Sequence, residues 1–484
     1  MDRAVAAESM SGGLVEATSW DEDREVVEVR SPLDGELIDS IVGSGRHEVA
    51  AAVAAAHRAQ AEWARVPAGD RGAVLARLAD AVRDAADELA TTEHRETGRP
   101  REQARAAVEA AAGTLDEYAA LGPVHRGRSL NGEHDATDLM VHEPRGVVAA
   151  LTPWNEPVAV ACGVLGAALV TGNAVVHKPS ERAVRTGVLL NRVLAAHLPE
   201  GLLGSVAGGP RCGAELVADS TLDVIAHVGS TAAGRSIAAA AAATGAKTLL
   251  ENGGNDALIV DAGIDPEHAA EQAAVGAFAN SGQICTSVER IYVHRDLAED
   301  FLAALVEQAR RRVFGAPAAD EIPMGPLVAE EHRAEVHRKV RDALDAGATL
   351  LAGGVLPDGD GSYYPATVLT DCRPEMEVLR EEVLGPVAAV RVVDDFDQAL
   401  REAAADRHGL AATVLTPDMA HAQRSWRALR VGTVKINEVF GGAPGGAAQP
   451  RGASGSGFGF GPELLDEMTA TKVVHLVPPV LPGT

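Results

Sequence analysis

Lysine is nearly missing from this chain. Five residues are Lys, at positions 178, 247, 339, 435 and 472, so nearly all of the 43 basic residues are Arg. A Lys inside a motif therefore stands out. Positive charge as a whole is outnumbered: 69 acidic residues bring the formal charge to -26, a field that repels nucleic-acid phosphates and anionic lipid. Neither nucleic acid nor a membrane surface is expected as a partner. Long apolar runs are missing too. The longest, residues 158–170, falls well short of the roughly 20 residues that a membrane helix needs. The first ten residues, MDRAVAAESM, mix charges and hold no apolar stretch of the secretory kind. Cysteine is sparse, with four residues at 162, 212, 285 and 372. They are too scattered for a disulfide framework and lack the spacing of metal ligands. These absences predict a cytoplasmic protein with reduced thiols and no metal at its cysteines.

The 484 residues suggest two or three domains at roughly 100–200 residues per domain. Hydrophobic residues at 46 % and charged residues at 23 % place the chain among folded globular proteins. Residues 1–25 show no period and read as a tail. Apolar positions Val74, Leu75, Leu78, Val82, Ala85 and Leu89 recur at helical spacing and predict an amphipathic helix over 71–89, with a similar Ala-rich one over 48–63. From Gly146 the texture changes. Residues 147–151, 174–177, 206–208, 224–228 and 248–250 read as strands, with helices such as 184–197 and 235–243 between them. This alternation predicts a parallel sheet covered by helices, the class that binds nucleotides at the carboxyl ends of its strands. A second α/β series runs from Leu258, through a helix opened by Asp265 and Pro266, to about Asn437. Residues 441–462 are rich in Gly, Ala, Ser and Pro and read as a loop. Residues 471–477 then read as a strand in need of a neighbour, which a second subunit is one way to supply.

Several residues carry chemistry by type and place. Cys285 stands in Asn280-Ser-Gly-Gln-Ile-Cys-Thr286, a Gly-containing turn after a helix, where a sulfur can be exposed and a backbone N–H offered to an oxyanion. On its own, a Cys is more often a small buried hydrophobe. Glu251 ends a predicted buried strand before a Gly-Gly turn; partial desolvation there would raise its pKa toward that of a general base, while a strand-end Glu facing solvent is the plainer alternative. Asn155, in Leu151-Thr-Pro-Trp-Asn-Glu-Pro157, offers a side-chain amide from a Pro-bounded turn; it suits an oxyanion donor or an ordinary helix cap. Lys178, in His-Lys-Pro-Ser-Glu181, follows a strand and could reach a ribose or a phosphate. Gly229-Ser-Thr-Ala-Ala-Gly234 joins a strand to a helix where backbone N–H groups favour a pyrophosphate. Either turn could equally be an ordinary solvated one, since neither carries the full glycine fingerprint.

Taken in order, Pro153-Trp-Asn155, Lys178-Pro-Ser-Glu181, Gly229-Ser-Thr231 with Gly234, Glu251 before Gly253-Gly254, Gly282-Gln-Ile-Cys285 and Glu381-Glu-Val-Leu-Gly-Pro386 resemble the NAD(P)-dependent aldehyde dehydrogenase superfamily, over about residues 28–477. The resemblance implies an α/β fold of three parts: a Rossmann-like NAD-binding domain (1–124 and 145–253), an α/β catalytic domain (254–452) and a small β oligomerisation element (125–144 and 469–484). It also implies a homodimer or homotetramer. Cys285 would attack an aldehyde as thiolate, Asn155 and the backbone N–H of Cys285 would hold the oxyanion, and Glu251 would activate the water that hydrolyses the thioester. Thr152, Trp154, Lys178, Glu181, Gly229, Ser230, Gly234, Glu382 and Leu384 would bind the cofactor. Glu181 favours NAD over NADP, because a carboxylate there repels a 2′-phosphate.

The chain departs from the superfamily pattern at Asn252, Asn255, Leu384 and the loop 450–457, which bears on cofactor fit and substrate shape. Glu156, Ile284, Thr286 and Glu438 would line the substrate tunnel, and the two carboxylates suggest a cationic amino-aldehyde unless Glu156 pairs with Arg451. The alternative activity is a CoA-acylating member of the superfamily, against which the presence of Glu251 argues.

Overall fold

The computed structural model describes residues 24–315, 318, 321–441 and 448–479. The tail expected over 1–25 lies outside them except for its last two residues, and these are tied down. Arg24 pairs with Glu48, and Glu25 accepts the Gly209 N–H at 3.1 Å.

The first sheet has six strands in the order Gly455–Ser456, Lys247–Glu251, Val224–Val228, Val147–Thr152, Ala174–Pro179 and Leu203–Ser205. All are parallel except Gly455–Ser456, which runs antiparallel to its neighbour. The three central strands are almost wholly buried runs of Val, Ala, Ile and Leu, as a sheet covered on both faces requires. From Val147–Thr152 the chain moves outward to Leu203–Ser205, then returns to the other side as Val224–Val228. That reversal sets the carboxyl ends of Val147–Thr152 and Val224–Val228 side by side, where sheets of this kind bind ligands.

Two expectations are corrected here. The strand expected over 206–208 lies at Leu203–Ser205. The Val206 N–H still reaches the His177 carbonyl, but at Gly208 φ is 147° and the chain turns off the sheet. The single helix expected over 71–89 is two, Ala68–Asp84 and Ala86–Thr97, broken at Ala85. The apolar period survives the bend because Leu75, Leu78, Val82, Ala86 and Leu89 all face one core. The other helices lie close to expectation, at Arg46–Trp63, Val184–Ala195 and Thr231–Thr244.

The second sheet has seven strands: Thr349–Ala352, Thr367–Thr370, Val387–Val393, Val288–His294, Asp256–Val260, Ala411–Leu415 and Thr433–Ile436. Only the first pair is antiparallel. The helix Pro266–Phe278 covers it, capped by Asp265, whose carboxylate accepts the Glu267 N–H at 3.0 Å. Within the stretch expected as one loop, Arg451–Gly452 and Gly455–Ser456 form short strands, while 442–447 lie outside the described residues. The terminal strand Thr469–Leu476 finds its neighbour within the chain, pairing along all eight residues with Thr137–Pro144, which also pairs with Arg128–Leu130. Its other edge carries exposed Val473 and Leu476.

Helices of the first unit are also tied together by polar groups. Buried Glu96, on Ala86–Thr97, accepts the N–H groups of Arg185 and Thr186 at 2.8 and 2.7 Å and the Thr186 hydroxyl at 2.6 Å. It thereby satisfies donors that the first turn of Val184–Ala195 leaves open. Glu96→Ala strands them at a cost of about 1–3 kcal/mol each, whereas Glu88→Ala removes only an exposed pair with Arg192, worth about 0–1 kcal/mol. Thermal unfolding of the two variants is expected to show a clear loss for the first and almost none for the second; equal midpoints would contradict this account.

Candidate active site at the seam of the two sheets

After the helix Pro266–Phe278, three successive residues adopt the left-handed region: Asn280 (φ 47°), Ser281 (φ 57°) and Gly282 (φ 71°). Two of them are not glycine, so the turn must be held by its surroundings. Ser281 donates to the Gly325 carbonyl at 2.7 Å. The Gln283 side-chain oxygen accepts the Val328 N–H at 2.9 Å, and the Ser287 hydroxyl donates to the Gly282 carbonyl at 3.1 Å. A side chain at Gly282 would place Cβ 2.1 Å from the Gly385 carbonyl oxygen. The outcome is that Ile284, Cys285 and Thr286 surface together as part-exposed residues within a buried stretch. Cys162, Cys212 and Cys372 are buried, leaving Cys285 as the one part-exposed cysteine. Its sulfur lies deep in the seam. Burial, and then the charges of Asp256, Glu251, Glu382 and Glu156, push the thiol up to about 12.

Glu251 ends its strand against the loop 455–460. Burial raises its carboxyl to about 7, although the Gly459 N–H bonds to it. A Cβ on Gly459 would lie 2.3 Å from Glu251 Oε1, so the bare backbone there is what lets the loop close over this carboxylate. Asn155 sits in the turn between Val147–Thr152 and the helix Pro157–Val170. Its Nδ2 donates to the Gln283 carbonyl at 2.9 Å. This bond aims the amide at the Cys285 loop and leaves its second hydrogen available.

At the strand reversal a cleft of about 580 Å³ opens, lined by Thr152, Trp154, Lys178, Glu181, Gly229 and Ser230, with Val217, Ile237 and Ala240 among its apolar walls. Ser230 caps the helix Thr231–Thr244 by accepting the Ala233 N–H at 3.2 Å. One polar group at this turn lacks a partner, the Thr231 hydroxyl, while the His227 ring beneath it meets the Ser230 backbone. Burial lowers His227 to about 4, so its ring is neutral. Lys178 Nζ donates to the Pro179 carbonyl at 3.1 Å and stands 3.8 Å from Glu181. Apolar walls with an unpaired donor at a helix start fit an anionic dinucleotide. Gly234 does not line the cleft; its bare Cα makes room for the Asn252 side chain, 2.0 Å from where a Cβ would stand.

Glu382 and Leu384 lie across the seam on the loop 381–386. Buried Glu289 accepts the N–H groups of Val383 and Leu384 at 2.8 and 2.7 Å, and His332 donates to the Leu384 carbonyl at 2.8 Å. These bonds hold Leu384 at a left-handed φ of 51°. Glu382 accepts the Gly254 N–H at 3.1 Å. The unusual Asn252 and Asn255 have structural partners, the Ala453 carbonyl at 3.1 Å and Asp406 at 2.8 Å.

Four features were not legible in the sequence. Glu156 pairs with Arg99 at 2.7 Å and not with Arg451, and Arg99 also contacts buried Glu93, a carboxyl that burial raises to about 8. Lys435 faces Asp256, Cys285 and Glu438. His227 beneath the cleft and Gly459 over Glu251 complete the set. Only Lys435 carried a usable signal, as one of five lysines.

The family model described as the aldehyde dehydrogenase family matches residues 20–474. The chain belongs to this family. It is 35 % identical over 479 residues to benzaldehyde dehydrogenase [NAD(+)] of Pseudomonas putida, covering 96 % of each chain. It is 32 % identical to betaine aldehyde dehydrogenase of Bacillus subtilis (strain 168), covering 94 % of each. Among solved structures, PnpE in complex with nicotinamide adenine dinucleotide superimposes with a TM-score of 0.89 at 31 % identity, over 93 % of this chain and 94 % of that one. Among the described residues no helix is long and apolar enough to cross a membrane.

One part-exposed cysteine with a strongly raised pKa sets a labelling pattern. Alkylation of the folded protein at pH 8, followed by peptide mapping, is expected to mark Cys285 slowly and the other three hardly at all. The rate should climb with pH as the thiolate forms. Fast labelling that is flat with pH would show that the thiol is already ionised.

Proposed function

We propose that the protein oxidises an aldehyde to its carboxylic acid with NAD as hydride acceptor, through a thioester on Cys285 that water hydrolyses. The observation that carries this reading is the seam itself, where the part-exposed cysteine, a carboxylate raised to about 7 and an oriented amide converge beside the cleft. Thr152, Trp154, Lys178, Glu181, Gly229, Ser230, Glu382 and Leu384 would hold the cofactor, with Gly234 behind them. Glu181 beside Lys178 supports NAD over NADP, and the Pseudomonas relative carries NAD(+) in its name. When bound, the cofactor supplies the hydride acceptor.

Cys285 loses its proton and its sulfur adds to the aldehyde carbon, while the carbonyl pair moves onto oxygen. The free N–H of Asn155 and the backbone N–H of Cys285 stabilise that oxyanion. When the carbonyl re-forms, the carbon gives up a hydride and a thioester remains. Glu251 takes a proton from water, hydroxide adds to the thioester carbon, and the Cys285 thiolate leaves. The sum is aldehyde plus water plus oxidised cofactor giving acid, reduced cofactor and a proton. Glu251 supports water over coenzyme A as the acceptor of the acyl group. The exposed edge of Thr469–Leu476 supports a homo-oligomer, and four unpaired cysteines support a reducing, cytoplasmic location.

For the substrate we infer a neutral aldehyde. The amino-aldehyde expectation rested on free carboxylates at Glu156 and Glu438, yet Arg99 stands on the first and Lys435 beside the second. Half-exposed Phe460, seated on Gly163, adds an apolar surface.

Two experiments test these points. Cys285→Ala is expected to abolish NAD reduction, whereas Glu251→Gln keeps a single-turnover burst and loses steady turnover, because only hydrolysis needs the base. In the parent, turnover should fall with an acid limb near pH 7, since the active carboxylate is lost as pH drops through its raised pKa. A Glu251→Gln variant with full turnover would overturn the role. Separately, kcat/KM for benzaldehyde is expected to exceed that for an amino-aldehyde of equal length by tenfold or more; the reverse order would sink the neutral-substrate inference.

A further inference from the structure

Away from the seam, three residues from distant parts of the chain converge where the arm, the three-stranded sheet of Arg128–Leu130, Thr137–Pro144 and Thr469–Leu476, meets the body. His125 follows the turn Gly122–Val124, His142 lies on Thr137–Pro144, and Asp466 lies on the short helix Glu463–Glu467. His125 Nε2 stands 2.8 Å from Asp466 Oδ1, and the two imidazole rings are 4.3 Å apart between centroids. One ligand atom from each of the three side chains falls within 4.8 Å of the others. We propose that His125, His142 and Asp466 form a binding site for a divalent transition-metal ion of the Zn²⁺ type, which clamps the arm and the terminal helix to the body.

The donor set selects the class of ion. Two imidazoles and one carboxylate suit Zn²⁺, Co²⁺ or Ni²⁺, whereas Ca²⁺ and Mg²⁺ prefer oxygen throughout. Bonds of about 2.0–2.2 Å to such an ion put neighbouring ligand atoms about 3.3 Å apart in a tetrahedron. His125 and Asp466 are already closer than that. The third group needs a movement of about 1.5 Å at most, within the reach of a part-exposed side chain.

The surroundings support the site. The Thr469 hydroxyl donates to the Leu465 carbonyl at 2.9 Å and touches His142 Nδ1 at 3.4 Å, which sets the ring's orientation as an outer contact does in metal sites. A cavity of about 250 Å³ lies beside His125 and Asp466, with room for waters to complete the shell. Glu463, which lines the same cavity, adds a second carboxylate there without joining the three ligands. Arg126 also lines it but is exposed, so its charge is screened. Binding links residue 125 to residue 466 and adds to stability by mass action, because the unfolded chain does not bring the three together.

The test uses the full chain, stripped of metal and carrying Cys285→Ser so that no reactive thiol competes. Equilibrium dialysis against Zn²⁺ with metal analysis is expected to give one equivalent per chain. The melting temperature should rise with Zn²⁺, and Co²⁺ should bring visible absorption bands of a four-coordinate site. His142→Ala and Asp466→Asn should each weaken binding at least tenfold and remove both the thermal shift and the Co²⁺ bands. If His142→Ala does not fold, His142→Gln carries the same comparison. No bound equivalent in the parent, or unchanged binding in the variants, overturns the proposal.

Discussion

Everything at the seam depends on a turn that has no room for side chains. Gly253 and Gly254 link the last parallel strand of one sheet to the first strand of the other. A Cβ on Gly253 would lie 2.1 Å from Glu382 Oε2, and one on Gly254 would lie 2.3 Å from the Cys285 carbonyl oxygen. Neither glycine has a positive φ, so the requirement is for space and not for an unusual conformation. Because the backbone is bare there, the loops 279–287 and 381–386 close onto it from the second sheet. Glu251 is delivered from the first. The Cys285 thiol and the Glu251 and Glu382 carboxylates thereby share one enclosure although they come from separate sheets.

That enclosure is crowded with acids. Burial raises Glu251 to about 7, Asp256 to about 8 and Glu289 to about 8, and moves Glu382 the same way. A carboxyl raised in the folded state holds its proton to higher pH than it does unfolded. Its contribution to stability therefore declines as pH rises from the unfolded value near 4 through those raised values. The fold offsets this with backbone donors: two N–H groups on Glu289 and the Ala411 N–H on Asp256 at 3.0 Å. The scarce lysines gather here as well. Lys339 donates to the Glu382 carbonyl at 2.5 Å, and Lys435 faces Asp256 and Cys285. Two of five lysines in a chain of 484 residues thus stand where acids are buried.

What the sequence made legible follows from local physics. The buried parallel strands announce themselves as unbroken Val, Ala and Ile runs, and Asp265 before Pro266 marks a helix start that the structure places there. The bend at Ala85 was hidden because a bend that keeps one face on the core leaves the apolar period intact. The shift of the outer strand to Leu203–Ser205 was hidden because Val206 is as apolar as its neighbours and only the turn at Gly208 decides where pairing ends. At the site, motif order brought Cys285, Glu251 and Asn155 to notice. Arg99 on Glu156 was not legible, since the two are 57 residues apart and only tertiary packing joins them. Gly459 over Glu251 was lost among other glycines of a low-complexity stretch.

That stretch is also where the separate parts of the molecule become mechanically connected. Arg451–Gly452 pairs with His408–Gly409 in the second unit, and Gly455–Ser456 extends the first sheet beside Glu251. The Gly459 backbone then meets the Glu251 carboxylate, and Phe460 packs on Gly163. A few residues later Asp466 touches His125, and the strand Thr469–Leu476 builds the arm. From Thr469, where that strand begins, the chain reaches back to Gly459, whose N–H bonds to the Glu251 carboxylate, within about ten residues. The loop that sets the environment of the Glu251 carboxylate and the strand that carries exposed Val473 and Leu476 are therefore parts of one continuous segment, so packing at one end constrains where the other can lie.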